Sequence, residues 1–331
     1  MTSCVVVGGG LAGLLAARRL RDAGVSVTVY DAGSQPGGRL ATRREMGGVW
    51  DVGAQHFTAR EEPFVTLVDE MRATGMVRTW FRGLPPPDPP YLGADDPRRH
   101  EPHHRGHPGM SAIADHLARS LDVRTCAPVA RLVRDGDRWR TETADATTTS
   151  SDAVLLTAPV PESLALLDAG GVRLPAAAAD DLRALRYEPT LCVLGVLDGR
   201  SELPDAGAWY GDGDPVSWLG DNHRKEISPI PTVTIHAGAQ FSREHLDADA
   251  ASWTGALAAA AEPLLGRPVR VHATHRWRYA TPVEPYPERT LVVEDAPPLV
   301  FAGDAFHGPR VEGAALSGLA AADVLLGRLG T

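Results

Sequence analysis

Apolar positions along this chain fall into two patterns. Some segments are continuously apolar: Cys4-Val5-Val6-Val7 reads as a strand covered on both faces, and Leu299-Val300-Phe301-Ala302 repeats the signal near the far end. Residues 14–23 carry helical spacing and close on Gly24, a C-cap residue, and a second strand follows at 27–30. A helix is predicted over 110–120, and a helix of small residues opens near Glu312. Strands over 129–133 and 139–143 flank the turn Asp135-Gly136-Asp137 as a hairpin. Other segments alternate. Residues 190–197, 215–219 and 232–237 switch between apolar and polar with period two, which predicts a mixed or antiparallel sheet, and residues 249–265 add a helix beside it.

The join between the first strand and the first helix is Gly8-Gly9-Gly10-Leu11-Ala12-Gly13, and Asp31 ends the second strand eighteen residues beyond Gly13. In a strand-turn-helix setting each glycine has a task. Gly8 permits the tight turn, Gly10 lets the backbone approach a pyrophosphate, and Gly13 lets the helix pack on the strand. The helix N-terminus offers unpaired N–H groups to phosphate, and Asp31 can accept hydrogen bonds from an adenosine ribose. A dinucleotide site follows. Six residues past Asp31, Gly37-Gly38-Arg39 begins a run to Arg44 that sets a flexible backbone and a guanidinium beside the phosphate turn. A Rossmann domain for NAD alone does not need that second grip.

The predicted fold class is therefore α/β. A Rossmann-like domain for the dinucleotide, built from residues 1–60, 108–160 and 290–331, is interleaved with a substrate-binding domain from 61–107 and 161–289. The second domain, on a mixed or antiparallel sheet with helices, would roof the cofactor, so that substrate enters at the interface.

Composition narrows the partners. A chain of 331 residues, 43% hydrophobic, can bury two cores. Its net charge of -9 and the lack of a basic patch with interleaved aromatics argue against nucleic acid. Cys4, Cys126 and Cys192 are odd in number and scattered, which suits a reducing compartment. No run approaches the roughly 18 apolar residues of a membrane helix, and the apolar N-terminus reads as a strand rather than a signal peptide. The expectation is a soluble cytoplasmic protein with no membrane partner; its oligomeric state is left open. Pro85-Pro86-Pro87-Asp88-Pro89-Pro90 can be neither helix nor central strand and is expected as an exposed connection or lid edge. His100, His103, His104 and His107 follow without cysteine or paired carboxylate. They are expected as solvated loop histidines, or one contact to an anionic substrate, with no metal site.

Taken together, the glycine turn with Asp31, the run 37–44, Asp51-Val52-Gly53-Ala54-Gln55, the segment 152–159 and Gly303-Asp304 resemble the FAD-dependent amine oxidase superfamily. Within it, the segments 38–43, 53–60, 109–113, His275-Arg276-Trp277-Arg278-Tyr279 and Arg310-Val311-Glu312-Gly313-Ala314 resemble bacterial renalase-like proteins, over the whole chain. The resemblance implies FAD, bound non-covalently because no cysteine lies near the terminal flavin segment. Around FAD it implies Gly8, Gly10, Leu11, Ala12, Gly13, Asp31, Gly38, Arg39, Gly53, Ala54, Gln55, Val129, Gly303, Asp304, Arg310, Val311, Glu312 and Ala315. Asp304 would bind the ribityl hydroxyls. The N-terminus of the last helix would face flavin N1 and O2, where negative charge develops.

For the reaction itself the resemblance implies Gln55, His56, His236, Trp277, Arg278 and Tyr279. Trp277 and Tyr279 lie two apart on a strand and share a face, while Arg278 points the other way. That spacing also suits a core strand, and it is the resemblance that favours a pocket. The implied activity is transfer of hydride from a small substrate to flavin N5, with electrons passed to O2 to give H2O2. The substrates implied are the 2- and 6-dihydro isomers of NAD(P), oxidised to NAD(P)+. Because the ring becomes aromatic, no strong base is required. An amine oxidase or a secondary-metabolite tailoring oxidase or dehydrogenase is the alternative, and a flavoprotein that binds without turnover is a third reading. Phe241 stands where the family pattern has tryptophan, and residues 222–226 match loosely. Many amine oxidases place a lysine near N5, and Lys225 is the single lysine here.

Overall fold

The computed structural model describes residues 2–83, 96–211 and 213–330; the proline-rich segment 85–90 lies outside the described residues. At its centre is a six-stranded sheet in the order Leu291–Asp295, Pro298–Phe301, Ala153–Leu156, Ser3–Val7, Ser26–Tyr30, Asp122–Arg124. All pairings are parallel except that of the first two strands. The unbroken apolar runs follow from burial on both faces. Cys4 and Val6 face the helices Leu11–Asp22 and Arg310–Leu329 with Ala16, Leu20 and Ala322, whereas Val5 and Val7 face Leu132 and Trp139 of the predicted hairpin, Val129–Asp135 with Arg138–Thr143.

The second sheet is wholly antiparallel, in the order Ala208–Tyr210, Val216–Asp221, Thr232–Ala237, Tyr187–Val196, Arg270–Pro282. Its alternation sorts two faces. Leu191, Val193, Val233 and Ile235 pack under the helix Ala250–Leu265, whose Trp253, Leu257, Ala261 and Leu265 repeat at helical spacing and whose N-cap Asp249 accepts from Ala251 N–H. On the other face, Cys192 and Leu194 pack on Trp50 and Val52. Thr190, His236, His275 and Trp277 share that face and line a cleft between the two sheets.

Two stretches expected in the second domain pack elsewhere. Helices Val160–Ala169 and Ala176–Ala184 bury Leu167 and Leu182 against Leu132, Trp139 and Phe301 of the first domain. Helix Phe64–Ala73 places Phe64, Val68 and Met71 among Leu14, Ile113 and Leu316. The boundary drawn at residue 160 therefore precedes the break in packing, which comes at the strand beginning with Tyr187. Conversely, the hairpin Thr42–Glu45 with Gly48–Asp51 reaches across to the second sheet: Trp50 Nε1 donates to Gly195 O at 2.9 Å and Thr232 Oγ1 to Val49 O at 2.8 Å.

Candidate active site

The glycine turn is shaped by what surrounds it. Gly8 has φ +110°, and a Cβ there would lie 2.7 Å from Thr157 Oγ1 and 2.9 Å from Ala158 N. A Cβ on Gly13 would meet Gly8 O at 2.1 Å, so Gly13 is required by helix–strand packing and lies behind the cleft wall. A Cβ on Gly10 meets nothing within 4 Å; its position opens on the cleft. Helix Leu11–Asp22 has no side-chain cap, which leaves its first N–H groups for a ligand. Asp31 accepts Gly9 N–H on Oδ2 and Gly33 N–H on Oδ1, each at 2.7 Å, and so faces the cleft in a fixed orientation.

The second glycine pair docks on the first. Gly37 N–H donates to Gly9 O at 2.8 Å, with Gly37 at φ +121°, a conformation that suits glycine. Arg39 differs from the sequence expectation. Its guanidinium holds Asp304 by two bonds of 2.6 Å and donates to Ala280 O at 2.9 Å, so a partly buried carboxylate, rather than phosphate, is what it grips. Gly53 lies against Arg39 O, where a Cβ would come within 2.1 Å, and Ala54 N–H donates to the same carbonyl at 2.8 Å. Gly303 has φ +132°, and its N–H is held by Ser317 Oγ at 2.8 Å; Ser317 in turn donates to Arg289 O at 2.6 Å. Arg310 opens the last helix at φ +85°, strain placed on the cleft wall beside Val311. Glu312 turns its carboxylate away, to the N–H groups of Arg60 (2.5 Å) and Glu61 (2.8 Å).

Leu11, Ala12, Gly38 and Val129 also line the cleft, but Gln55 and Ala315 do not. Ala315 is fully buried between helices. Gln55 bends back, donating to Asp51 O at 2.6 Å and Gly53 O at 3.1 Å; it braces the segment instead of meeting substrate. Its Oε1 and Trp218 Nε1 are both unpartnered, and each lies 3.0 Å from where a Cβ on Gly220 would stand.

His56 does reach the cleft, ringed by Trp218, Phe81 and His103. His236 Nε2 and Trp277 Nε1 bond the same acceptor, Val52 O, at 3.0 and 3.1 Å, so both rings clamp the 52–54 segment. Tyr279 packs edge-on to Tyr187. Arg278 leaves the opposite face of the strand, as its spacing from Trp277 and Tyr279 predicts, and pairs with Asp247, while still being among the residues that line the cleft. The loop histidines are corrected. His103 and His104 lie in the strand Pro102–Gly106, paired with Val77–Arg82, and are 3% and 4% exposed. Burial lowers the pKa of His56 well below its ordinary value, helped by the neighbouring His103, Lys225 and Arg310. Burial likewise takes His236 to about 4 and lowers His275 and His103.

Lys225 is outside the cleft wall. Its Nζ lies 2.6 Å from Asp51 Oδ2 with both side chains fully buried, and 4.7 Å from the Trp80 ring centre. Burial pushes the Lys225 pKa down while Asp51 pulls it up. Sequence reading missed this pair, as it missed Ser317 and the role of His103. The only signal was that Lys225 is unique.

The cleft measures about 1930 Å³ and runs continuously from Gly8 and Asp31 to His56 and Trp277. The profile of the flavin-containing amine oxidoreductase family matches residues 92–326, and that of an NAD(P)-binding Rossmann-like domain matches residues 6–71. The chain belongs to the flavin-containing amine oxidoreductase family. The residues present fit FAD, the cofactor of a flavin-containing family: the uncapped helix N-terminus, the open space at Gly10 and the fixed Asp31 carboxylate all lie on the cleft. A 66-residue stretch is 39% identical to protoporphyrinogen oxidase 2, chloroplastic/mitochondrial, of Arabidopsis thaliana, covering 20% of this chain and 13% of that protein. A match of 66 residues to the mitochondrial protoporphyrinogen oxidase of Nicotiana tabacum is 38% identical, again 20% of this chain and 13% of the relative. The chain thus spans about an eighth of these relatives' length. Among solved structures, a candidate protoporphyrinogen oxidase from Exiguobacterium sp. 255-15 superposes with TM-score 0.74 at 14% identity, covering 100% of this chain and 99% of that one. A redesigned putrescine oxidase triple mutant gives 0.70 at 16% identity, with 99% of each chain covered. These likenesses are of fold. Among the described residues no helix is long and apolar enough to cross a membrane.

Proposed function

We propose that this flavoenzyme is a renalase-like oxidase that takes a hydride from a small substrate, foremost the 2- and 6-dihydro isomers of NAD(P), and releases NAD(P)+. O2 is the electron acceptor in this reading and H2O2 the product. FAD, when bound, supplies the hydride acceptor; the chain's own residues bind and orient the donor. The observation that carries the reading is the make-up of the cleft beneath the second sheet, where His56, His103, His236, His275, Trp277 and Tyr279 meet. Burial keeps those four imidazoles uncharged at neutral pH, so they suit a flat, neutral heterocycle between aromatic planes. No strong base is needed for a ring that gains aromaticity on losing hydride. The nearby carboxylates are occupied: Glu101 is tied to Arg60, and Glu312 to backbone N–H groups. A reducing cytoplasmic setting is part of the reading, supported by three free cysteines.

The test is anaerobic stopped-flow bleaching of the flavin by 2- and 6-dihydroNAD(P), with ordinary NAD(P)H and a panel of amines alongside. Rapid bleaching by the isomers alone is expected. Bleaching by amines and not by the isomers would replace the proposal with amine oxidation.

A further inference from the structure

His56, on the segment after Gly53, and His103, on the strand Pro102–Gly106, meet with their Nδ1 atoms 2.9 Å apart. Two neutral imidazoles joined in this way share one proton, so one ring donates and the other accepts. The two arrangements are unequal. His103 is 3% exposed, its ring stacks on Phe81 with centroids 4.7 Å apart, and its Nε2 is buried with no hydrogen-bond partner. A proton on that Nε2 would leave a buried donor unmet. A lone pair there costs less, since orphaned N–H groups are the rarer defect in folded proteins. His103 therefore carries its proton on Nδ1 and donates to His56. His56 accepts at Nδ1 and, being neutral, carries its own proton on Nε2. That nitrogen has no hydrogen-bond partner among the described residues, and its ring lines the cleft.

We infer that His103 is a positioning residue that fixes the tautomer of His56, and that His56 presents an Nε2–H donor to a neutral carbonyl or carboxamide oxygen on the substrate ring. His56 then orients substrate and removes no proton. The inference rests on the proposed function only in taking that oxygen to be the carboxamide of a dihydronicotinamide; the tautomer stands apart from it.

The experiment uses FAD-loaded protein labelled with 15N-histidine, with ring resonances assigned through His56→Gln and His103→Asn. Pyrrole-type shifts are expected at His56 Nε2 and His103 Nδ1, and pyridine-type shifts at the other nitrogen of each ring. The opposite pattern overturns the inference. In turnover with 6-dihydroNAD, His103→Leu should raise KM about tenfold with kcat little changed, while His103→Asn, which keeps an N–H near the Nδ1 position, should restore it. Equal KM in the two variants would refute the positioning role. If neither isomer bleaches the flavin, the proposed function fails while the nitrogen shifts still decide the tautomer.

Discussion

Lys225→Met removes half of the ion pair beneath the cleft floor. Neither Lys225 nor Asp51 has any exposed side chain, and taking away one partner of a buried pair strands the other charge at a cost of about 3–5 kcal/mol. Asp51 is not left bare, however. Thr42 Oγ1 donates to its Oδ1 at 2.6 Å and Met110 N–H at 2.8 Å, which puts the loss at the low end, about 3 kcal/mol. The ammonium also sits over Trp80, a cation–π contact worth about 1 kcal/mol more. A total of about 4 kcal/mol is expected. Adding Asp51→Asn removes the stranded charge while keeping an acceptor for Thr42 and Met110, so the double variant should regain about 2 kcal/mol over Lys225→Met alone. Urea unfolding followed by far-UV circular dichroism, at one fixed excess of FAD, measures all three proteins against the parent. A loss below about 1 kcal/mol for Lys225→Met, or a double variant no more stable than the single, would refute the claim that the pair compensates a buried charge.

Further outcomes follow from the same geometry. Asp304→Ala strips two hydrogen bonds from the Arg39 guanidinium and should weaken FAD binding about tenfold or more, read by fluorescence titration of the apoprotein. Trp277→Ala loses the bond to Val52 O but none that orders the glycine turn; FAD should stay bound while anaerobic flavin reduction slows about tenfold. His236 is neutral in the fold, with its pKa lowered to about 4 from 6.5 by burial, so the unfolded chain takes up its proton first as pH falls. Its contribution is complete above pH 6.5 and lost as pH drops toward 4, at about 1.4 kcal/mol per pH unit. Because burial lowers His56, His103, His104 and His275 as well, urea unfolding between pH 7 and pH 4.5 should show at least that slope, and His236→Gln should make it shallower by about 1.4 kcal/mol per pH unit without abolishing it.

Features governed by local rules were legible in the chain. The strand-turn-helix around Gly8 to Gly13, the hairpin at Gly136 and the helix capped by Asp249 each depend on a few consecutive residues, through positive φ, periodicity or a cap bond. The two-faced burial of Val5 and Val6 was likewise written in an unbroken apolar run. The strand Pro102–Gly106 escaped notice because its sequence, Pro-His-His-Arg-Gly, is polar; its burial comes from pairing with Val77–Arg82 and from Phe81 lying on His103.

Partner choice was decided by the tertiary structure alone. Arg39 lies 265 residues from Asp304, Lys225 lies 174 from Asp51, and His56 lies 47 from His103. Nothing in the spacing says that Arg39 meets a carboxylate instead of phosphate, or that Arg278, set on the opposite face by strand alternation, finds Asp247 as its partner. Composition and local pattern determined that this chain would hold a dinucleotide and build two main sheets. Which charges and rings face one another across the cleft was set by how those sheets pack, because periodicity describes one segment at a time and a contact belongs to two.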